Sequence, residues 1–317
     1  MLHCKTISLN EKLDWDGLIR LSQTATFFQQ QQWMQIWVKH FPIKQEIIGV
    51  FDDNDLVGIA PFSYDQKTVN FLGTTPILGK EQICDFGDII CLPNKEKSVW
   101  DMVLNYLSNK HAGKILSLNF IRENSLSFNI LKPLAKDLHL INTSPYLDLP
   151  KSWKEYLVGL KRKDRHELRR KLRKLESLKY RVYQVDPTEK NQQQFIKLMK
   201  QSSSEKEIFL SIPMENFFFD FLTNLNKEQI LLWFMDVEDK KVASAIAFKF
   251  KEELLLYNSG MDLDYRYLSV GLLSKALLIQ KSIELGYKKF DFLQGDEQYK
   301  YNLGAVDNRL YQLTISL

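Results

Sequence analysis

Ser269-Val270-Gly271 marks a place where this 317-residue chain offers chemistry through its backbone. An apolar run ends at Tyr257, and a polar turn carrying Arg266 follows. Leu272, Leu273, Ala276, Leu277, Ile279 and Ile283 then recur at helical spacing until Gly286 stops them. Lys289 to Leu293 reads as a short strand, and a polar segment leads to Tyr299-Lys300-Tyr301. Strand, glycine-bearing turn, helix and strand in that order expose the first amides of the helix. Together with roughly half a positive charge from the helix dipole, those amides suit a phosphate or pyrophosphate. An ordinary loop-to-helix junction has the same local sequence, so the stretch alone does not decide between them.

A second feature is charge. Lys161, Arg162, Lys163, Arg165, Arg169, Arg170, Lys171, Arg173 and Lys174 place nine cations in fourteen residues, on more than one helical face. Leu157, Leu160, Leu168, Leu172 and Leu175 form a narrow apolar stripe through the same stretch. Such a helix serves as a solvated face paired with acids elsewhere, or as a surface for a phosphate-rich partner. RNA, a nucleotide-linked sugar or an anionic lipid headgroup would qualify. The stripe is too short for several coiled-coil heptads.

Other chemistries find no support. His3, His40, His111, His139 and His166 form no HxxxH or HxH pair, so no metal site is expected. No Ser–His–Asp or Cys–His constellation is legible, which points to direct transfer without a covalent enzyme intermediate. Cys4, Cys84 and Cys91 lack CxxC spacing and read as reduced side chains of a cytoplasmic protein. The N-terminal residues have no apolar core like that of a signal peptide, and the longest apolar runs are strand-sized. The net charge of +4 is modest, and 44% hydrophobic residues allow two real cores.

The elements that must position these groups follow the chain. Gln31 to His40 is expected as a helix, with Trp33, Ile36 and Trp37 on a buried face. Residues 45–51, 56–63 and 68–72 read as an antiparallel meander. A shift of 186 positions lays Asp53 on Asp239, Leu56 on Val242, Phe62 on Phe248 and Phe71 on Tyr257. Two meanders so related suggest an internal duplication. Lys97 to Leu107 is expected as helix, Lys114 to Ile121 as strand, and Ser125 to Leu138 as helix. The boundary is placed in Asn142 to Pro150, rich in turn-formers. Ser152 and Glu155 form a capping-box signature that opens the basic helix. Pro213 to Leu225 reads as helix whose Phe217-Phe218-Phe219 belongs in a core, and Arg309 to Ser316 as the final strand.

The stretch from Tyr257 onward resembles the end of the GNAT-type acyltransferase domain of CelD-like and FemAB-like proteins. The resemblance rests on Tyr257, Ser259-Gly260, Ser269-Val270-Gly271-Leu272-Leu273, Gly286, Phe290-Asp291-Phe292-Leu293, Gly295 and Tyr299-Lys300. Val270 stands where the family has proline, and Asn302 where FemAB-like proteins have a glycine after the lysine. It covers residues 145–317 well and 27–145 loosely. The resemblance implies an α+β fold of two GNAT-like domains, residues 1–144 without a donor site and 145–317 with one. It implies that Arg266, Ser269, Val270, Gly271 and Leu272 hold the phosphates of an acyl-CoA donor such as acetyl-CoA. Asp291 or Glu297 would take the acceptor's proton, Tyr299 would act as an acid, and Lys300 would stabilise developing negative charge.

The function so implied is N-acyl transfer from acyl-CoA to an amine on a small molecule or a cell-envelope or polysaccharide precursor. One alternative is a FemAB-like transferase that uses aminoacyl-tRNA and acts on a peptidoglycan precursor, with Lys161–Lys174 meeting the tRNA. Another is a non-catalytic GNAT fold that binds RNA or an anionic surface.

Overall fold

The structure, a computed structural model, describes residues 1–77 and 82–317. It divides into two compact units, residues 1–143 with 308–317, and residues 144–307.

The first unit begins with β1 (Leu2–Ile7), α1 (Trp15–Leu21), α2 (Gln31–His40), β2 (Gln45–Asp52), β3 (Asp55–Tyr64) and β4 (Thr68–Phe71). It continues with β5 (Ile90–Cys91), α3 (Glu96–Lys110), β6 (Ile115–Arg122), α4 (Leu126–Leu131) and β7 (Asp137–Thr143). Trp33 and Trp37 of α2 are buried, as their spacing predicts. The expected helix from Ser125 to Leu138 stops early. Pro133 follows α4, and the chain turns at Ala135 and returns as β7.

The second unit holds β8 (Tyr146–Asp148), α5 (Trp153–Gly159), α6 (Arg162–Glu176), β9 (Tyr180–Val185), α7 (Glu189–Ser202), α8 (Ser204–Phe209) and α9 (Ile212–Asn224). After these come β10 (Ile230–Val237), β11 (Lys240–Phe250), β12 (Glu253–Met261), α10 (Val270–Glu284), β13 (Lys289–Asp291) and α11 (Gln298–Asn302). The final strand, β14 (Arg309–Ser316), departs from the expected division, which carried the second domain to residue 317. It runs between β6 and β7 in the first unit's sheet, pairing Leu313 with Leu118 on one side and Leu138 on the other. Leu310 and Leu313 are buried there, Leu313 within the first unit's core.

The first sheet is ordered β1-β2-β3-β4-β6-β14-β7, with β5 on β3. The second is ordered β8-β13-β12-β11-β10-β9. Both contain the same core: an antiparallel hairpin, a third strand, a helical crossover and a parallel partner. In the first unit this is β2-β3-β4, α3 and β6, with Thr68 opposite Ile115. In the second it is β10-β11-β12, α10 and β13, with Glu253 opposite Lys289. Asp53 and Asp239, 186 positions apart, both adopt positive φ at their hairpin tips.

In the second sheet β11 alternates. Ala243, Ala245 and Ala247 join the core under α10, while Phe248 meets Phe221 of α9 on the other face. Val270, Leu273, Ala276, Leu277, Ile279 and Ile283 bury the inner side of α10. Burial of that kind is worth roughly 1.5–3 kcal/mol for each large aliphatic side chain. Phe217 and Phe218 are fully buried in an aromatic cluster with Phe221 and Tyr257, so they pack rather than line a groove. The basic stretch forms two helices rather than one. Leu160 takes an extended conformation between α5 and α6, and the Arg165 guanidinium bonds the freed carbonyls of Val158 and Leu160.

Candidate active site

A cleft of about 370 Å³ opens in the second unit. Its origin is a mismatch in strand length. β13 ends at Asp291, opposite Leu255, and β12 runs on without it through residues 256–261. A bulge adds to the divergence, since Ile246 faces Asn258 and Ala247 faces Leu256, leaving Tyr257 as the extra residue. Ser259, Gly260 and Met261 of this released edge form one wall. Gly260 is required there by contact: a Cβ would lie 2.3 Å from the Met199 amide nitrogen and 2.4 Å from the Leu198 carbonyl carbon.

The opposite wall is the start of α10, supplying Ser269, Gly271 and Leu272, with Arg266 from the 3-10 turn before it. Ser269 holds φ 58° and ψ 37°, a left-handed conformation that swings the chain into the helix. Its carbonyl accepts from the amides of both Leu272 and Leu273, each at 3.0 Å. The amides that helical geometry leaves without an internal acceptor are therefore those of Val270 and Gly271. The Leu272 amide is committed within the turn, which narrows the predicted anion-binding set. Val270 keeps its N–H where the resembled family has proline, but the whole residue is buried and forms no part of the cleft wall, so of these two amides only that of Gly271 belongs to a cleft-lining residue.

Two lysines enter the cleft that the sequence did not single out. Lys206 on α8 donates to the Ser259 carbonyl. Burial lowers its ammonium to about 8, with Glu297 opposing. Lys275, one turn beyond Gly271, donates to the Gly271 carbonyl at 3.1 Å, and its Nζ lies 4.8 Å from the centroid of the Tyr299 ring. Burial is the main influence on it, Lys206 and Lys300 add repulsion, and its ammonium falls to about 7.

The four predicted proton-transfer and charge-stabilising residues fare differently. Tyr299 lines the cleft, and burial, followed by the charge of Glu297, raises its phenol so that it keeps its proton. Lys300 is almost fully buried. Its Nζ donates to the carbonyls of Leu293, Gln294 and Gly295 at 3.1, 2.7 and 2.9 Å and pairs with Glu297 at 2.9 Å. That ammonium braces the turn after β13, which contains Leu293 and Gly295 at positive φ. Glu297 is exposed; burial works to raise its carboxyl, but Lys300 outweighs this and holds it below the ordinary value. Asp291 is buried and accepts from Ser144 Oγ at 2.9 Å and the Leu293 amide at 2.7 Å, the work of a turn anchor.

Residues 162–301 match the family model described as an acetyltransferase (GNAT) domain. FemX is similar in fold over 98% of this chain and 96% of its own, at 10% identity and a TM-score of 0.65. A tandem GNAT protein from the clavulanic acid biosynthesis pathway matches over 99% and 98%, at 12% identity and 0.52. This is a tandem, FemAB-like GNAT fold. The C-terminal domain of a candidate lysylphosphatidylglycerol synthetase from Agrobacterium fabrum shares the fold over 94% of this chain and 89% of its own, at 10% identity and 0.58. No curated protein matches the sequence.

Within the GNAT unit, α6 buries Leu168, Leu172 and Leu175 and turns its cations outward. Glu167 pairs with Arg170 at 2.8 Å and Lys171 at 3.5 Å, and Lys174 donates to the Tyr267 carbonyl. Arg162, Lys163, Arg169 and Arg173 remain exposed. Among the described residues no helix is long and apolar enough to cross a membrane, and no three His, Cys, Asp or Glu side chains converge as a metal site.

Proposed function

We propose that this chain is an N-acyltransferase that moves an acyl group from acyl-CoA directly to the amine of a small molecule or cell-envelope or polysaccharide precursor. The observation that carries the reading is the cleft between the released edge of β12 and the start of α10. There the Gly271 amide, Arg266 and Ser269 offer one anion-binding end. The main-chain groups of Ser259 to Met261 offer a surface along which an extended donor arm can lie. Holding donor and acceptor together supplies ~7–11 kcal/mol of the barrier, so a site made mainly of backbone is chemically sufficient for much of the rate. Tyr299, which keeps its proton, is suited to donate a hydrogen bond to a departing sulfur or to the reacting carbonyl.

The test is a screen of acyl-CoAs for thermal stabilisation, followed by thiol release with a panel of amines. A ligand at 100 times its Kd adds ~2.7 kcal/mol. Stabilisation by acyl-CoA with amine-dependent thiol release supports the reading; absence of both sinks it.

A second reading is an aminoacyl-tRNA-dependent transfer. It draws on the exposed cations of α6 and on the likeness to FemX. Binding of charged tRNA that weakens steeply with salt, with acyl-CoA inert, would favour it.

A further inference from the structure

Two ammonium-bearing side chains share the cleft with no carboxylate among its lining residues, an arrangement the acyl-transfer reading leaves unused. An amine acceptor reaches a transferase as an ammonium ion and must lose a proton before its nitrogen can attack. We propose that Lys275 is the catalytic base that takes this proton. The inference rests on the acyl-transfer reading above.

The geometry favours Lys275 over Lys300 and Asp291 of the family-like stretch. It sits one helical turn beyond Gly271, and both residues line the same cleft. Its hydrogen bond to the Gly271 carbonyl at 3.1 Å uses one N–H and leaves the nitrogen's lone pair available once the group is neutral. Lys300 spends its ammonium on three carbonyls and Glu297, and Asp291 is held by Ser144 and the Leu293 amide.

The groups facing Lys275 are Lys206 from α8, Lys300 and the Tyr299 ring from α11, and Glu297 at the entry to α11. Burial and the two neighbouring lysines disfavour the charged form, against the pull of Glu297, which brings the ammonium to about 7. A lysine beside other cations in a partly desolvated pocket is a recognised way to obtain a neutral amine at neutral pH.

The step balances without further reagents. Neutral Lys275 accepts one proton from the acceptor ammonium, and the freed nitrogen attacks the thioester carbonyl. As the C–N bond completes, the C–S bond breaks and its electron pair leaves on sulfur. The second proton of the nitrogen passes to that sulfur, giving an amide and a thiol. Lys275 then returns its proton to water.

Two measurements test this. The first is competitive chemical labelling of wild-type lysines across pH, read by mass spectrometry. Lys275 should titrate near pH 7, and in Lys206→Gln its midpoint should rise. A midpoint near that of an exposed lysine overturns the proposal whatever the activity. The second is the pH profile of kcat/KM for acyl transfer by wild type and Lys275→Arg, with folding of the variant checked by circular dichroism. Wild type should show an acid limb near pH 7. Lys275→Arg, which keeps the charge and cannot release it, should lose about 10²–10⁴-fold at pH 8 while still binding acyl-CoA. Lys206→Gln should move the limb to higher pH. A limb unchanged in Lys275→Arg overturns the assignment and leaves the acyltransferase reading standing. Failure of wild type to bind acyl-CoA or release thiol sinks that reading and, with it, this one.

Discussion

The ammonium of Lys300 donates to the carbonyl of Gln294 at 2.7 Å from a position that solvent hardly reaches. With Leu293 and Gly295 also accepting from it, one charged group closes the turn that separates β13 from α11. Replacing it with methionine leaves three carbonyls without their donor. Each unpaired buried group costs about 1–3 kcal/mol, part of it recovered by water at the half-exposed positions. Lys300→Met should therefore lower stability by roughly 2–4 kcal/mol in denaturant titration. Unchanged stability would show that the turn holds without it.

Gly260 and Gly271 line the same cleft for different reasons. A methyl at 260 meets backbone atoms of α7, which cannot yield without moving the helix from β12. Gly260→Ala should destabilise by about 1–3 kcal/mol. A methyl at 271 meets only the Met261 sulfur, the far part of a flexible side chain. Gly271→Ala should leave the melting temperature within a few degrees of wild type, since alanine favours the helix by up to about 1 kcal/mol. Equal effects from the two variants would contradict this assignment.

In the first unit, Glu46 accepts from Tyr106 at 2.7 Å, pairs with His111 at 2.7 Å and meets Lys110. Burial works to raise its carboxyl, but these partners outweigh it and hold the group at about 2. A carboxylate depressed by folding stabilises fully above its unfolded value, and that contribution fades as pH falls from about 4.5 towards 2. Over that window wild type should lose roughly 2–4 kcal/mol that Glu46→Gln never had. Parallel stability curves for the two proteins between pH 5 and 2 would refute it.

Much of this architecture is legible in the sequence, because it is periodic. The two meanders, the helix opening at Ser269-Val270-Gly271 and the burial of Trp33, Trp37, Phe217 and Phe218 all follow from apolar spacing. The placement of β14 is not legible. Its alternation specifies a strand, but long-range pairing with β6 and β7 decides its sheet. Nor do residue types separate the lysines. Lys300 sits in the family-like motif yet is spent on backbone, whereas Lys275 hides within an apolar stripe and faces the cleft. Lys206 lies in a polar stretch that reads as a mere break until α8 carries it against Ser259. Only the strand splay after Leu255 brings these parts into one cleft, and a splay leaves no mark on local periodicity.

We propose that the start of α10 holds the donor's phosphates. Calorimetric titration of acetyl-CoA into wild type and Gly271→Asp tests it most directly, because an aspartate there places a negative charge on the cleft wall that also carries Arg266 and Ser269. A carboxylate in the first turn also favours the helix dipole, so the variant is expected to stay folded. Saturable binding to wild type and at least a tenfold loss in the variant are expected. Binding of equal strength to both proteins, or none to wild type, would contradict it.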